Sequence, residues 1–384
     1  MMNPTSPIQT AALPDLPLPP GIRSRRISGV NGLDLHVLEA GDARQPCVLL
    51  LHGFPELAYS WRKQMLPLAE AGFHVLAPDQ RGYGRSTGWS ADYDADLRPF
   101  GLFNLARDAL GLVAAAGHHK VAAVVGHDFG APVAAWCALL RPDVFRSVVL
   151  MSAPFGGPPP WPAASVAPPD IDAELAALPR PRKHYQHYYG TRGANAEMWH
   201  CPQGVHAFLR AYYHLKSADW TANQPFALQA WRGDELAKMP AYYIMDRNQG
   251  MAETVAAHGP TAAQVVANPW LSEAELAVYA TEYTRTGFQG GLQWYRCSTH
   301  PACVAELQMF AGRSIDVPAA FIGGASDWGV HQVPGALQRM QRTSCSQLRG
   351  LHLIPGAGHW VQQEQPAETN RLLLDFLAHH APQR

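Results

Sequence analysis

An aspartate occupies the point where a strand is predicted to turn into a helix. The apolar run at residues 121–125 leads into Gly-His-Asp-Phe-Gly at 126–130, and a second apolar stretch follows at 131–140. Glycines two residues before and two residues after Asp128 permit the sharp turn of a nucleophile elbow. A carboxylate at that tip can open a strained or polarised sp3 carbon and remain bound to it as an ester. We therefore predict that Asp128 is a nucleophile.

An ester on Asp128 has to be hydrolysed, so the site also needs donors for the oxyanion that forms when water attacks. The apolar strand at residues 48–51 is followed by His-Gly-Phe-Pro-Glu at 52–56. In a strand-turn-helix architecture of this kind, the loop after such a strand supplies a backbone N–H. We predict an oxyanion hole made by the amide of Phe54 and the amide of Phe129, which follows the nucleophile.

A carboxylate and a histidine come after two later strands. Residues 320–326 lead into Asp327, and residues 351–358 lead into His359. The chain order nucleophile, acid, histidine is the one expected when successive strands deliver a triad to one edge of a sheet. We predict that His359 is the general base for water and that Asp327 orients it.

These side chains need a sheet to position them. Several apolar runs are too short for helices and do not alternate with polar residues, which is typical of central parallel strands covered on both faces. Helical spacing at residues 104–116 separates two of them, and a last helix is predicted from Pro366. The apolar runs are residues 47–51, 74–77, 121–125, 147–151, 318–323 and 351–354.

A proline-rich stretch at residues 153–169 divides the chain, and the aromatic, helical segment after it interrupts the sheet pattern. Asn31-Gly32 predicts a hairpin near the start of the sheet. The predicted fold class is therefore α/β, with a mostly parallel sheet, flanking helices and an inserted helical cap. The predicted divisions are a flexible arm at 1–26, core at 27–155, cap at 156–310 and core at 311–384.

The composition of the chain argues against several classes of partner and site. The 384 residues include 30 Lys and Arg against 31 Asp and Glu, and without a basic run nucleic acid is not an expected partner. The six cysteines are scattered without a C-x-x-C pair, so we expect no metal site, reduced thiols and a cytoplasmic location. No run of about 18 apolar residues predicts a membrane span.

The motifs at residues 52–56 and 126–130 resemble those of the α/β-hydrolase-fold epoxide hydrolases. Asp-Gln-Arg-Gly-Tyr-Gly-Arg at 79–85, Asp327 after its strand, and Gly-His-Trp at 358–360 are similar to that family as well. In that family two cap tyrosines hold the epoxide oxygen. Similarity of residues 287–296 to the second tyrosine motif implies Tyr295, and similarity of residues 185–189 to the first implies Tyr188, with Tyr185 and Tyr189 as alternatives.

The resemblance implies hydrolysis of a small hydrophobic epoxide with water to a vicinal diol, without metal or organic cofactor. A haloalkane or haloacetate dehalogenase with the same Asp nucleophile is the alternative enzyme, although such enzymes typically carry Trp where this chain has Phe129. A non-catalytic binding protein on the same fold is a more distant alternative. A homodimer and a monomer are both left open.

Overall fold

The computed structural model of the protein describes residues 13–161 and 169–380. Ten strands lie within these ranges, and every residue of β3, β4, β5, β6 and β9 is buried. Burial on both faces explains why their sequences do not alternate. The strands are β1 (Arg23–Val30), β2 (Leu33–Ala40), β3 (Cys47–Leu51), β4 (His74–Pro78), β5 (Val121–His127), β6 (Val148–Met151), β7 (Arg182–His184), β8 (Ile244–Asp246), β9 (Ala319–Gly324) and β10 (Leu348–Ile354).

Eight strands form one sheet in the order β1-β2-β4-β3-β5-β6-β9-β10. β2 is antiparallel to both of its neighbours, and the remaining pairs are parallel. His127 pairs with Met151, and Met151 pairs with Ile322. β10 is parallel to β9, with Ile354 paired to Gly324, so the residues that follow β5, β6, β9 and β10 meet at one edge of the sheet. The sequence predicts this meeting for the residues after β5, β9 and β10.

Helices cover both faces of this sheet and form the insertion. Their bounds within the described ranges are α1 (Arg62–Glu70), α2 (Leu102–Ala115), α3 (Gly130–Leu140), α4 (Ile171–Ala176), α5 (Tyr185–Tyr189), α6 (Ala194–Trp199), α7 (Gly204–Lys216), α8 (Gly233–Leu236), α9 (Met251–Ala256), α10 (Ala262–Ala267), α11 (Glu273–Thr286), α12 (Gln289–Thr299), α13 (Pro301–Gln308), α14 (Ala336–Arg339), α15 (Val361–Glu364) and α16 (Pro366–His380).

The alternation of side chains along β3 separates two cores. Val48 belongs to the core that contains Leu373 of α16, whereas Leu49 belongs to the core that contains Trp136 of α3. Neighbouring residues of a strand point to opposite faces, so one short apolar run serves both layers. This is the two-sided burial expected of an α/β core.

The helices from α4 to α13 fall between β6 and β9 and are called here the helical insertion, residues 171–308. Its two short strands, β7 and β8, pair antiparallel with each other. The insertion enters and leaves the sheet at neighbouring strands, because β6 and β9 are hydrogen-bonded partners. It is thereby anchored at the edge where the residues after β5, β6 and β9 meet.

The first hairpin forms at the predicted turn. Asn31 and Gly32 have φ of +49° and +80°, the left-handed conformations that a tight two-residue turn requires. β1 begins at Arg23, so it overlaps the predicted arm over residues 23–26. These four residues are exposed, and a polar edge strand carries no apolar pattern that sequence analysis could detect. The part of the predicted arm at residues 1–12 lies outside the described residues.

Across residues 13–161 and 169–380, no helix combines the length with the apolar character needed to cross a bilayer.

Candidate active site

The turn between β5 and α3 holds Asp128 in a strained conformation. Its φ is +51°, a left-handed value that residues other than glycine rarely adopt. A Cβ on Gly126 would lie 2.1 Å from the carbonyl oxygen of Gly130, and one on Gly130 would lie 2.2 Å from the carbonyl oxygen of Leu51. Only glycine fits at these two positions, which explains the spacing of the motif.

Asp128, His359 and Asp327 come together at this edge of the sheet. Oδ2 of Asp128 lies 3.2 Å from Nε2 of His359, and Nδ1 of His359 lies 3.1 Å from Oδ1 of Asp327. Asp128 is 7% exposed, and the other two side chains are fully buried. The three residues predicted as nucleophile, base and acid thus form a continuous chain of contacts.

Ser152 also contacts this chain, and sequence analysis missed it. Its hydroxyl donates to Oδ2 of Asp327 at 2.5 Å and lies 2.8 Å from Nδ1 of His359. Since the hydroxyl proton is directed to Asp327, the serine oxygen is free to accept the Nδ1–H of His359. Ser152 has φ of +67° and follows β6 directly. The signal that could have indicated it is its position after the strand between β5 and β9.

The amide of Phe54, a predicted donor of the oxyanion hole, is directed at Asp128. It donates to Oδ1 of Asp128 at 2.9 Å. A Cβ on Gly53 would lie 2.4 Å from that oxygen and 2.7 Å from the amide nitrogen of Phe129. Among the hydrogen bonds of the described residues, none joins the Phe129 amide to Asp128. The second predicted donor is therefore adjacent to the carboxylate without bonding to it.

The electrostatics keep both carboxylates ionised. Burial raises the pKa of Asp128, but the neighbouring imidazole of His359 and the charge of Lys216 outweigh it, so the pKa lies below its ordinary value. For Asp327, burial is likewise outweighed by the charge and hydrogen bond of His359 and by the Ser152 hydroxyl, so its pKa is lowered. Asp128 is consequently available as a carboxylate nucleophile across the neutral range.

A cavity of about 220 Å³ opens at Asp128. The hydroxyl of Tyr295 has no hydrogen-bond acceptor among the described residues, whereas the hydroxyl of Tyr185 donates to Oε1 of Gln332 at 3.0 Å. Both tyrosines come from the helical insertion, on α12 and α5. The cavity is lined by Leu102, Asp128, Phe129, Pro132, Ala153, Tyr185, Gln186, Tyr295, Ser298 and Gln332.

The prediction of Tyr188 needs correction, because its side chain does not reach this cavity. Its hydroxyl donates to Oε2 of Glu197 at 3.0 Å, and the ammonium of Lys183 lies 4.9 Å from its ring centre. The hydroxyl of Tyr189 donates to that of Tyr212 at 3.2 Å. Of the three tyrosines in α5, Tyr185 is the one that faces Asp128.

Tyr185 and Tyr295 are held in the protonated form. Burial, followed by the negative charge of Asp128, raises the pKa of each phenol well above its ordinary value of 10.0. A phenol that stays neutral is a hydrogen-bond donor, so Tyr295 can donate to an oxygen in the cavity, and Tyr185 can do so by turning its O–H away from Gln332.

His127, the residue before the nucleophile, belongs to a buried ion pair. Its Nδ1 lies 2.6 Å from Oε2 of Glu56, and its Nε2 lies 2.7 Å from the carbonyl oxygen of His359. Both partners are acceptors, so both ring nitrogens must carry protons. Burial lowers the pKa of His127, but the charge and hydrogen bond of Glu56 outweigh it and raise the pKa. Through the hydrogen bond from Nε2 of His127, the pair holds the carbonyl group of His359 in place.

The residues around Asp128 offer hydroxyls, one imidazole and apolar walls. Within the described ranges, no group of three or more His, Cys, Asp or Glu side chains is arranged to hold a metal ion. What the arrangement can do is attack carbon with a carboxylate, donate protons from two phenols, and activate water with a histidine.

Known proteins share both the sequence and this fold. Residues 46–366 match the sequence profile of the α/β-hydrolase fold family. Epoxide hydrolase B of Mycobacterium tuberculosis is 36% identical over 361 residues, which cover 92% of this chain and 97% of that protein.

Solved structures agree. An epoxide hydrolase from an endophytic Streptomyces superposes with a TM-score of 0.74 at 31% identity, covering 94% of this chain and 96% of that chain. Epoxide hydrolase A from Mycobacterium thermoresistibile gives a TM-score of 0.72 at 33% identity, covering 94% of this chain and 100% of that chain. Similarity of this extent in sequence and fold shows that the chain belongs to the α/β-hydrolase-fold epoxide hydrolase family.

Proposed function

We propose that the protein hydrolyses a small apolar epoxide to a vicinal diol through an ester of Asp128. The observation that carries this proposal is the placement of one carboxylate and two neutral phenols, those of Tyr185 and Tyr295, in the same cavity. A carboxylate alone could be alkylated by many kinds of electrophile, so it does not identify the substrate. Phenols beside it supply the proton that an alkoxide leaving group needs.

In the first step an oxygen of Asp128 attacks one epoxide carbon, and the C–O bond breaks toward the ring oxygen. Oδ1 is already held by the Phe54 amide, so Oδ2 is the oxygen left to attack and Oδ1 becomes the ester carbonyl oxygen. Tyr185 and Tyr295 donate to the departing oxygen. The product of this step is a hydroxyalkyl ester of Asp128.

In the second step His359 accepts a proton from water at Nε2, and the water oxygen attacks the ester carbonyl carbon. Negative charge then develops on Oδ1, where the Phe54 amide is in place and the Phe129 amide is adjacent. Asp327 and Ser152 hold Nδ1 and stabilise the imidazolium that forms. Collapse of the intermediate breaks the bond between the carboxyl carbon and the diol oxygen. The two protons of the water, one of them passed through His359, go to that oxygen and to the tyrosine that gave up its proton, so the diol leaves and Asp128 returns to a carboxylate.

The substrate is restricted in size and polarity. The cavity of about 220 Å³ is smaller than the roughly 300–1,000 Å³ typical of sites for drug-sized ligands. Leu102, Phe129, Pro132 and Ala153 give it apolar walls. We assign the predicted cap, residues 156–310, the role of the lid that carries both tyrosines and excludes bulk water from the ester.

A product assay tests the proposal against the dehalogenase alternative. Short aliphatic and styrene-type epoxides, haloalkanes and haloacetates are each incubated with the wild type and with Asp128→Asn, and diol and halide are both quantified. Diol from an epoxide, absent with Asp128→Asn, supports the proposal. Halide release without diol formation from any epoxide would overturn it in favour of the dehalogenase.

A further inference from the structure

The loop that carries His359 is fixed by three consecutive backbone N–H groups. The amides of Gly358 and Trp360 donate to the two carboxylate oxygens of Glu364, at 2.8 Å and 2.9 Å. The amide of His359 donates to the carbonyl oxygen of Lys216 at 2.8 Å. Two of these acceptor atoms therefore come from α15, which follows the loop in the core, and one comes from the helical insertion.

Glu364 also reaches the insertion itself. Its Oε2 accepts a second hydrogen bond, from the amide of Ala218 at 2.8 Å. Residues 216 and 218 flank Ser217, at the end of α7. One carboxylate therefore joins the backbone on both sides of His359 to the segment where α7 ends. We call Glu364, the Lys216 carbonyl and the Ala218 amide the histidine clamp.

Gly358 makes this close approach possible. A Cβ at residue 358 would lie 2.5 Å from the carbonyl carbon of Ser217, 2.6 Å from the amide nitrogen of Ala218 and 2.6 Å from the carbonyl oxygen of Lys216. Real Cβ atoms do not approach backbone this closely. The insertion and the histidine loop are thus in direct backbone contact at a position that tolerates no side chain.

The buried position of Glu364 is energetically unfavourable for a carboxyl group, which argues against a role in stability alone. Glu364 is buried, and no basic side chain within the described ranges forms an ion pair with it. Burial raises the pKa of Glu364 to about 8, although the amides of Ala218, Gly358 and Trp360 oppose the shift. Burying a carboxyl group without a cation costs free energy, either because it stays charged or because it must take up a proton, and carboxyl groups with shifted pKa values concentrate at functional sites.

We propose that Glu364 is a positioning residue for His359, which makes hydrolysis of the ester depend on contact between the helical insertion and the histidine loop. The inference rests on the proposed function, in which His359 acts only when water attacks. Attack of Asp128 on the epoxide needs the tyrosines and the carboxylate but no base. Loss of the clamp should therefore slow the second step and spare the first.

Single-turnover kinetics with a styrene-type epoxide test this separation, with rapid quenching and mass spectrometry of the intact protein to follow the ester. In Glu364→Gln the amide NH2 faces backbone donors in place of one acceptor oxygen. We expect hydrolysis to slow by about tenfold or more while ester formation changes by less than about twofold, so that ester accumulates. Equal slowing of both steps would mean a merely structural role and would overturn the proposal.

Ala218→Pro tests the link to the insertion, and it also serves if Glu364→Gln fails to fold. Proline removes the N–H of residue 218, and the preceding Ser217 has φ of −85° and ψ of 170°, a conformation that residues before proline favour. The same selective slowing of hydrolysis is expected. Normal hydrolysis in Ala218→Pro would overturn the dependence on the insertion.

Glu282→Gln is the matched control. Glu282 is a buried glutamate of the insertion, and its Oε1 accepts a hydrogen bond from Arg85 of the core at 2.6 Å without contacting the histidine loop. We expect unchanged partition between the two steps. Ester accumulation in this variant would show that any loosening of the insertion has the effect and would overturn the specific role of Glu364. Absence of both ester and diol with the wild type would instead refute the proposed function itself.

Discussion

The rings of Tyr185 and Tyr295 meet edge to face, with centres 5.9 Å apart, in the wall of the cavity that contains Asp128. In the proposed mechanism both phenols donate to the epoxide oxygen in this cavity. Removing either hydroxyl should leave the developing alkoxide with one donor. We expect Tyr185→Phe and Tyr295→Phe each to slow ester formation by about 10²-fold, measured by single-turnover quenching.

Tyr188→Phe is the control for these variants, because its hydroxyl contacts Glu197 and lies outside the cavity. We expect ester formation in Tyr188→Phe within about twofold of the wild type. A loss of about 10²-fold in Tyr188→Phe, with Tyr185→Phe close to the wild type, would show that Tyr188, and not Tyr185, is the partner of Tyr295.

Ser152→Ala removes the hydroxyl that bridges Asp327 and His359. A hydrogen bond of this kind contributes about 1 kcal/mol, so we expect hydrolysis of the ester to slow by about five- to tenfold while ester formation is retained. Rapid-quench measurement of both steps checks this. Thermal unfolding separates it from a folding defect, and an unchanged hydrolysis rate would show that Asp327 orients His359 without help.

The pKa shifts predict the pH dependence of ester formation. The pKa of Asp128 is lowered from its ordinary value of 3.8, so the nucleophile loses its charge only below that pH. The phenols of Tyr185 and Tyr295 have raised pKa values and lose their protons only well above pH 10. In a His359→Gln background, where no imidazole titrates beside Oδ2 of Asp128, the rate of ester formation should therefore vary by less than about twofold between about pH 5.5 and 9. An acid limb with a midpoint near pH 6 would contradict this assignment of the nucleophile.

The same shift affects stability. Because the pKa of Asp128 is lower in the folded than in the unfolded state, its ionised form stabilises the fold above the ordinary pKa, and this contribution is lost as the pH falls through the folded value. Asp327 acts in the same direction. Relative to the stability of each protein at pH 7, acid unfolding followed by circular dichroism should accordingly shift to lower pH in Asp128→Asn, because the variant has no ionised group at residue 128 to lose.

Gly126→Ala tests the geometry of the elbow. The added methyl would lie 2.1 Å from the carbonyl oxygen of Gly130, where the backbone cannot move without displacing α3. We expect a loss of about 3 kcal/mol or more in the free energy of unfolding, measured by urea titration. Gly111→Ala in α2 is the control: its methyl would meet only a side-chain atom of Val30 at 3.0 Å, and alanine favours the helix.

Site residues that directly follow an apolar strand could be predicted from the sequence. Asp128, Asp327 and His359 each follow an apolar strand, and parallel strands necessarily bring such positions to one edge. The apolar run at residues 47–51 coincides with β3 for the same reason. Phe54 could be placed because its loop follows β3, which neighbours β5 in the sheet.

Other features depend on contacts that no local pattern encodes. Ser152 follows a predicted strand, but its role requires that β6 lie between β5 and β9. Tyr185 and Tyr188 could not be distinguished because α5 has only five residues, too few to define which face meets the cavity. Glu364 could not be predicted because its hydrogen bond with Ala218 joins segments that are 146 residues apart in the sequence.

The most direct test of the account is a single turnover in heavy-oxygen water, followed by proteolysis and mass spectrometry of the peptide that contains residue 128. If water attacks the ester carbonyl, the labelled oxygen must enter the carboxylate of Asp128 while the first diol leaves unlabelled. Label in the diol with an unlabelled Asp128 would mean that water attacks the epoxide directly, and it would contradict the ester intermediate on which the mechanism depends.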